Sequence, residues 1–161
     1  MPDFLESIEQ FLQSFSAEEL AITREVFRRL LDRRPTRPET LAVTLDLPPS
    51  VVEAAVARLV ERGTMTVDPE TDELVGARGL SLKETPHRLA INGRQLYGFC
   101  AVDAVGIPAA LELDARVESR CHACGTPLVL TLKKGAVTEA PPGTVVWATA
   151  RDLTRPLHAY T

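Results

Sequence analysis

The hydrophobic spacing of this chain changes once, near residue 78, and that change limits the available folds more than any other feature. Before it, apolar residues recur every three or four positions, the period of helices buried on one face. Phe4, Leu5, Ile8, Phe11, Leu12 and Phe15 form one such stripe, which predicts an amphipathic first helix. Ser16 with Glu19 has the spacing of a capping box and predicts a second helix through Leu20, Val26, Phe27 and Leu30. Thr36 with Glu39, and Ser50 with Glu53, repeat the device ahead of two further apolar stripes, and Gly63 supplies a stop. A short helix, a turn at Asp46-Leu47-Pro48 and a longer helix make a helix-turn-helix pattern. Met65-Thr66-Val67 and Leu74-Val75, around a polar turn, then read as a two-stranded wing.

From Gly79 the period falls to two. Leu80-Ser81-Leu82, His87 to Ile91, Ala115 to Ser119, Leu128 to Leu132 and Val145 to Thr149 alternate as half-buried strands do, and Asn92-Gly93 is a hairpin turn. Gly98 to Leu111 is small and apolar, which predicts a buried helix shortened or kinked by Gly106 and Pro108. The expected fold is therefore α+β. A helical, winged-helix-like unit over residues 1–78 packs on a small mixed α/β, mostly antiparallel, unit over residues 79–161.

Charge narrows the function. The 161 residues carry a net charge of −4. Residues 1–79 hold 9 basic against 15 acidic side chains, and residues 80–161 hold 9 against 7. A DNA reader replaces condensed counterions with basic residues, so the acidic first half argues against nucleic acid. The expected recognition helix, Ser50 to Arg62, presents Glu53, Arg58, Glu61 and Arg62 and has no Asn or Gln to read base edges. No apolar run approaches the roughly 20 residues that cross a bilayer. The acidic start, Met1-Pro2-Asp3-Phe4-Leu5-Glu6, lacks the pattern of a secretory signal, so the expected location is the cytoplasm.

The three cysteines, Cys100, Cys121 and Cys124, all fall in the second half, and an odd number in a reducing compartment points to thiol or metal chemistry. Cys100 and Asp103 are three apart, so on a helix both share one face. A first-turn cysteine feels the positive end of the backbone dipoles, which favours thiolate. Asp103 is the sole charge between Arg94 and Glu112; burial there would raise its pKa and fit it to donate a proton. The alternative is a structural cysteine, with Asp103 capping the helix or pairing with an arginine. Cys121-His122-Ala123-Cys124-Gly125 is a single CxxC knuckle on a hairpin. Zinc takes four ligands, usually from two such pairs, so a structural zinc is not expected; Cys100 or His158 are the candidates to enlarge the set. His87 is expected at the surface, and Trp147 and the helical Phe residues in the core.

Taken in order, Gly79-Leu80-Ser81-Leu82-Lys83-Glu84-Thr85-Pro86-His87, then Leu96-Tyr97-Gly98-Phe99-Cys100-Ala101-Val102-Asp103, then Ala115 to Cys121 leading to Gly125-Thr126-Pro127-Leu128, resemble the organomercurial (alkylmercury) lyases. The resemblance runs from the wing to the end of the chain. It implies cleavage of carbon–mercury bonds by protonolysis to a hydrocarbon and Hg(II), with two cysteines and one aspartate and no separate cofactor. By position it makes Cys100 the first catalytic cysteine and mercury ligand, Asp103 the proton carrier, and Cys121 a cysteine usually regarded as structural. Cys124 has no matching family position. The family's second catalytic cysteine would fall just past Leu157-His158-Ala159-Tyr160-Thr161. Either the chain is a C-terminally short form, or Cys121, Cys124 or His158 substitutes for that cysteine, with Cys121 and Cys124 as further mercury ligands. The implied partners are an organomercurial substrate and a mercuric reductase receiving Hg(II), with no DNA and no membrane. A different class of reading is a non-catalytic soft-metal-binding or metal-responsive winged-helix regulator.

Overall fold

The computed structural model describes residues 11 and 13–146. Three helices lead the named elements: α1 (Ala17–Leu31), α2 (Pro38–Leu45) and α3 (Pro49–Glu61). The strands β1 (Met65–Val67), β2 (Leu74–Ala77), β3 (Leu80–Ser81), β4 (His87–Ile91) and β5 (Arg94–Gly98) follow. Helix α4 (Ala101–Ala110) then precedes β6 (Ala115–Arg120), β7 (Pro127–Lys133) and β8 (Ala136–Glu139). The eight described strands lie in one antiparallel sheet of order β1-β2-β3-β5-β4-β6-β7-β8.

The start of α1 follows the sequence pattern. Ser16 Oγ accepts from Glu19 N–H and Glu19 returns its carboxylate to Ser16 N–H, closing the expected capping box. Ile22, Val26 and Leu30, one face of the helix, are fully buried. The other two boxes do not form. At α2 the cap is Arg37, and at α3 it is Pro48, because Pro38 and Pro49 each occupy the first helical position. Proline there has its φ preset and no N–H to satisfy, so it sets the helix start ahead of the hydroxyl. Thr36 instead bridges to β2, where Leu74 N–H donates to its carbonyl at 2.7 Å, and its Oγ1 is buried without a hydrogen-bond partner among the described residues.

The expected hairpin of β1 and β2 is present, Met65 opposite Ala77, and β2 continues the sheet by pairing with β3 across residue 78. Asn92 and Gly93 both have positive φ, as a tight hairpin between right-twisted strands requires. Helix α1 packs on β2 and β3, and α4 on β3 to β6. One buried cluster joins Ile22 and Leu59 to Leu74, Leu80, Leu89, Leu96, Val117 and Leu132.

Two expectations need correction. The segment Gly98 to Leu111 is not one buried helix: Gly98 ends β5, α4 buries only Ala104, Ile107 and Pro108, and Val102 is 40% exposed. Pro108 falls in the last turn of α4, so it shortens the helix rather than kinking its middle. In the expected strand Val145 to Thr149, Val145 and Val146 carry no strand, and the rest lies outside the described residues. The last described strand is β8, reached through Lys134 and Gly135, both at positive φ. The first predicted helix, apart from residues 11 and 13–15, lies outside the described residues too, as do Trp147 and His158.

Candidate active site

Strand β5 ends under the first turn of α4, and this junction builds the site. Gly98 allows it: a Cβ there would stand 2.9 Å from the Ala104 backbone nitrogen. Phe99 N–H donates to the Gly79 carbonyl at 2.7 Å, holding the chain beside the turn between β2 and β3. Gly79 has φ +83° and faces Asp103 so closely that a Cβ would come within 2.2 Å of Oδ1. Space thus explains Gly98, and space together with a left-handed backbone explains Gly79.

Cys100 is the N-cap of α4, and Asp103 its third residue. The Cys100 thiol donates to Asp103 Oδ2 at 3.0 Å, Cys100 N–H donates to the same oxygen at 3.2 Å, and Asp103 N–H points at Sγ at 3.4 Å. The pair is therefore a sulfur version of a capping box. Both sequence readings of these residues meet here, since Asp103 caps the helix and also holds the thiol. Both side chains are half-buried.

The pull of the helix start towards thiolate is present but outweighed. Burial pushes the Cys100 thiol up to about 12, and the Asp103 charge and its hydrogen bond push the same way. Backbone donors at the helix start oppose the shift but do not outweigh a carboxylate in contact with the sulfur. Cys100 rests as a neutral thiol whose proton already points at a carboxylate oxygen.

His87 is also corrected. It is half-buried, its Nδ1 lies 2.8 Å from Ser119 Oγ, and the strand register puts it opposite Gly98, on the sheet face covered by α4. Burial lowers its pKa, and the Asp103 charge works against that shift. Thr85 locks the approach to this strand: its hydroxyl donates to the Gly98 carbonyl at 2.6 Å and accepts from His87 N–H at 3.1 Å. The Thr-Pro-His spacing carried this arrangement, but the partner Ser119 lies 32 residues away and is visible only once β4 and β6 pair.

Asp103 also borders a cavity of about 270 Å³ between α1 and α4, lined by Phe27, Arg78, Val102, Gly106, Ile107, Ala110 and Leu111. Its lining is mostly hydrocarbon, with Arg78 and Asp103 the charged residues among it.

Cys121 and Cys124 sit in the turn between β6 and β7, as expected, with Cys121 half-buried and Cys124 exposed. Hydrogen bonds from Thr126, and one with Cys121, lower the Cys124 pKa. Among the described residues no three His, Cys, Asp or Glu side chains gather into a metal-binding group, so Cys100, Cys121 and Cys124 do not form one ligand set. No described helix is long and apolar enough to cross a membrane.

A thiol hydrogen-bonded to a carboxylate at a helix N-terminus, beside an antiparallel sheet, marks the class: a protein with a candidate thiol–carboxylate site. The comparisons make that class specific. The family model described as alkylmercury lyase (MerB) matches residues 80–160. The chain is 37% identical over 125 residues to an alkylmercury lyase of Streptomyces lividans, covering 76% of this chain and 55% of that protein. It is 37% identical over 117 residues to one of Pseudomonas putida, covering 73% and 53%. The crystal structure of the mercury-bound form of MerB2 superposes with a TM-score of 0.88 at 25% identity, over 94% of this chain and 74% of that one. The chain belongs to the alkylmercury lyase family. It spans about half the length of the Streptomyces and Pseudomonas relatives.

Proposed function

We propose that this chain carries organomercurial lyase chemistry, with Cys100 as the mercury-binding nucleophile and Asp103 as the proton carrier. The observation that supports it is the 3.0 Å contact from the Cys100 thiol to Asp103 Oδ2. An organomercurial cation RHg⁺ is a soft acid, and thiolate sulfur is the softest ligand a protein has. As the sulfur–mercury bond forms, the thiol proton leaves along the existing hydrogen bond to Asp103, giving S–Hg–R beside a neutral carboxyl. Electron donation from sulfur makes the carbon more basic, and Asp103 returns the proton to it. The carbon–mercury bond breaks, RH departs, and Hg(II) stays on sulfur. Asp103 ends as carboxylate, ready for another cycle once a thiol ligand removes the ion.

This reading makes the substrate an organomercurial, with the hydrocarbon-lined cavity beside Asp103 suited to its organic group, and Hg(II) the product passed to a mercuric reductase. It needs no resident cofactor. Helices α2 and α3 with the β1–β2 hairpin act as a winged-helix-like scaffold within residues 1–78, and the protein works in the cytoplasm.

Phenylmercury incubated with the reduced protein and excess small thiol should release benzene, measured by gas chromatography. Cys100→Ser and Asp103→Asn should each lower the rate by about 10²-fold or more, as loss of a positioned proton-transfer group does. Unchanged benzene release in Cys100→Ser would remove that residue from the mechanism.

A further inference from the structure

The lyase chemistry leaves the Cys121–Cys124 turn unused, yet that turn is a built feature. The ladder of β6 and β7 runs to Arg120 opposite Pro127 and is closed by Cys121 N–H donating to the Thr126 carbonyl at 2.9 Å. Gly125 N–H then donates back to the Cys121 carbonyl at 2.8 Å, and Gly125 takes φ +72°, which folds the loop over on itself. The fold sets both cysteines in one tight turn, with Cys124 Sγ 3.1 Å from Oγ1 of Thr126, the residue whose carbonyl receives the Cys121 N–H. Both thiols are free, Cys124 exposed and Cys121 half-buried.

We infer that this turn is a second soft-metal site, a two-thiolate clamp for an ion satisfied by two ligands, of the class of Hg(II), independent of Cys100. The ligand count selects the ion. Zinc takes four ligands and hard cations six or more oxygens, whereas no third His, Cys, Asp or Glu joins the pair among the described residues. A soft d¹⁰ ion that bonds two sulfurs in line needs nothing further. On binding, two sulfur–mercury bonds form and the two thiol protons pass to water, with no change of oxidation state. The exposed Thr126 hydroxyl stays beside the metallated sulfur and can donate to it.

The inference does not rest on lyase activity, and one titration tests it on the full chain. In Cys100→Ser protein, Hg(II) titrated against competing glutathione should bind with one ion per chain and be followed by sulfur-to-mercury absorption. Cys121→Ser and Cys124→Ser, each added to that background, should weaken binding by about 10²-fold or more, the loss expected when a chelate becomes a single contact. Zn(II) should not compete at equal concentration. Far-UV circular dichroism of each variant checks that the fold persists, and the exposed Cys124 is the substitution expected to leave it untouched. Undiminished affinity in the folded Cys124→Ser protein, or displacement by equimolar Zn(II), would overturn the inference. Benzene release is read separately, so a failed clamp leaves the reading of Cys100 standing, and the reverse.

Discussion

Cys100 and Asp103 show how two opposing local fields are resolved at one sulfur. The helix start favours thiolate, while burial and the adjacent carboxylate favour thiol, and the thiol form prevails with its pKa pushed up to about 12. A thiol whose folded pKa lies above the ordinary value of 9.0 stabilises the fold below that value, and the contribution fades as pH rises towards 12. Removing the neighbouring charge should therefore release the thiol. In a Cys121→Ser, Cys124→Ser background, Asp103→Asn should speed iodoacetamide labelling of Cys100 at pH 9, by about tenfold for each unit the pKa falls. A slower rate in that variant would mean that Asp103 activates the sulfur rather than restraining it. The three-residue spacing of this pair was legible in the sequence because a helix turns a short spacing into contact. The restraint was not, because it depends on Gly79 leaving room for the Asp103 carboxyl and on Gly98 letting Ala104 of α4 come close to β5. His87 was misread for a related reason: its strand alternation was visible, but its burial came from β6 and α4, distant in sequence.

At the scale of elements, local chemistry was legible wherever no stronger local rule competed with it. The capping box at Ser16 formed because nothing nearby preset the backbone, whereas the pairs at Thr36 and Ser50 lost to adjacent prolines. Strand β8 went unseen because its residues are all exposed and give no alternation to read. Helix α1 carries a titratable device of its own. Glu25 receives hydrogen bonds from Arg28 and Arg29 at 2.8–2.9 Å, and these pull its pKa from 4.5 to about 2. A carboxylate with a lowered folded pKa adds stability above its unfolded value and loses it as pH falls through the folded one. Urea unfolding should show Glu25→Gln less stable than the parent by at most about 1 kcal/mol at pH 7, the range of surface ion pairs. The gap should close as pH drops from 4.5 towards 2.

Over the whole molecule, the change of hydrophobic period near residue 78 does not interrupt the sheet. Strand β2 pairs on one side with β1, which follows α3, and on the other with β3, which leads to the Cys100 junction. Leu74 is fully buried on that strand, and its N–H also carries the bridge to Thr36. Its side chain belongs to a hydrophobic cluster containing both Ile22 of α1 and Leu132 of β7. Period alone could not reveal this, since it reports which face of an element is buried and not which element buries it. Truncating Leu74 should then weaken the helical half and the reactive junction together. Leu74→Ala is expected to cost between about 2 and 5 kcal/mol, the range for a leucine removed from a packed core. Helix content by circular dichroism and protection of the Cys100 thiol from labelling should be lost at one shared urea midpoint, lower than in the parent. If thiol protection instead outlasted the helices, the active junction would be held by β4 to β7 and α4 alone, and the helices of the first half would be an attached layer rather than part of its foundation.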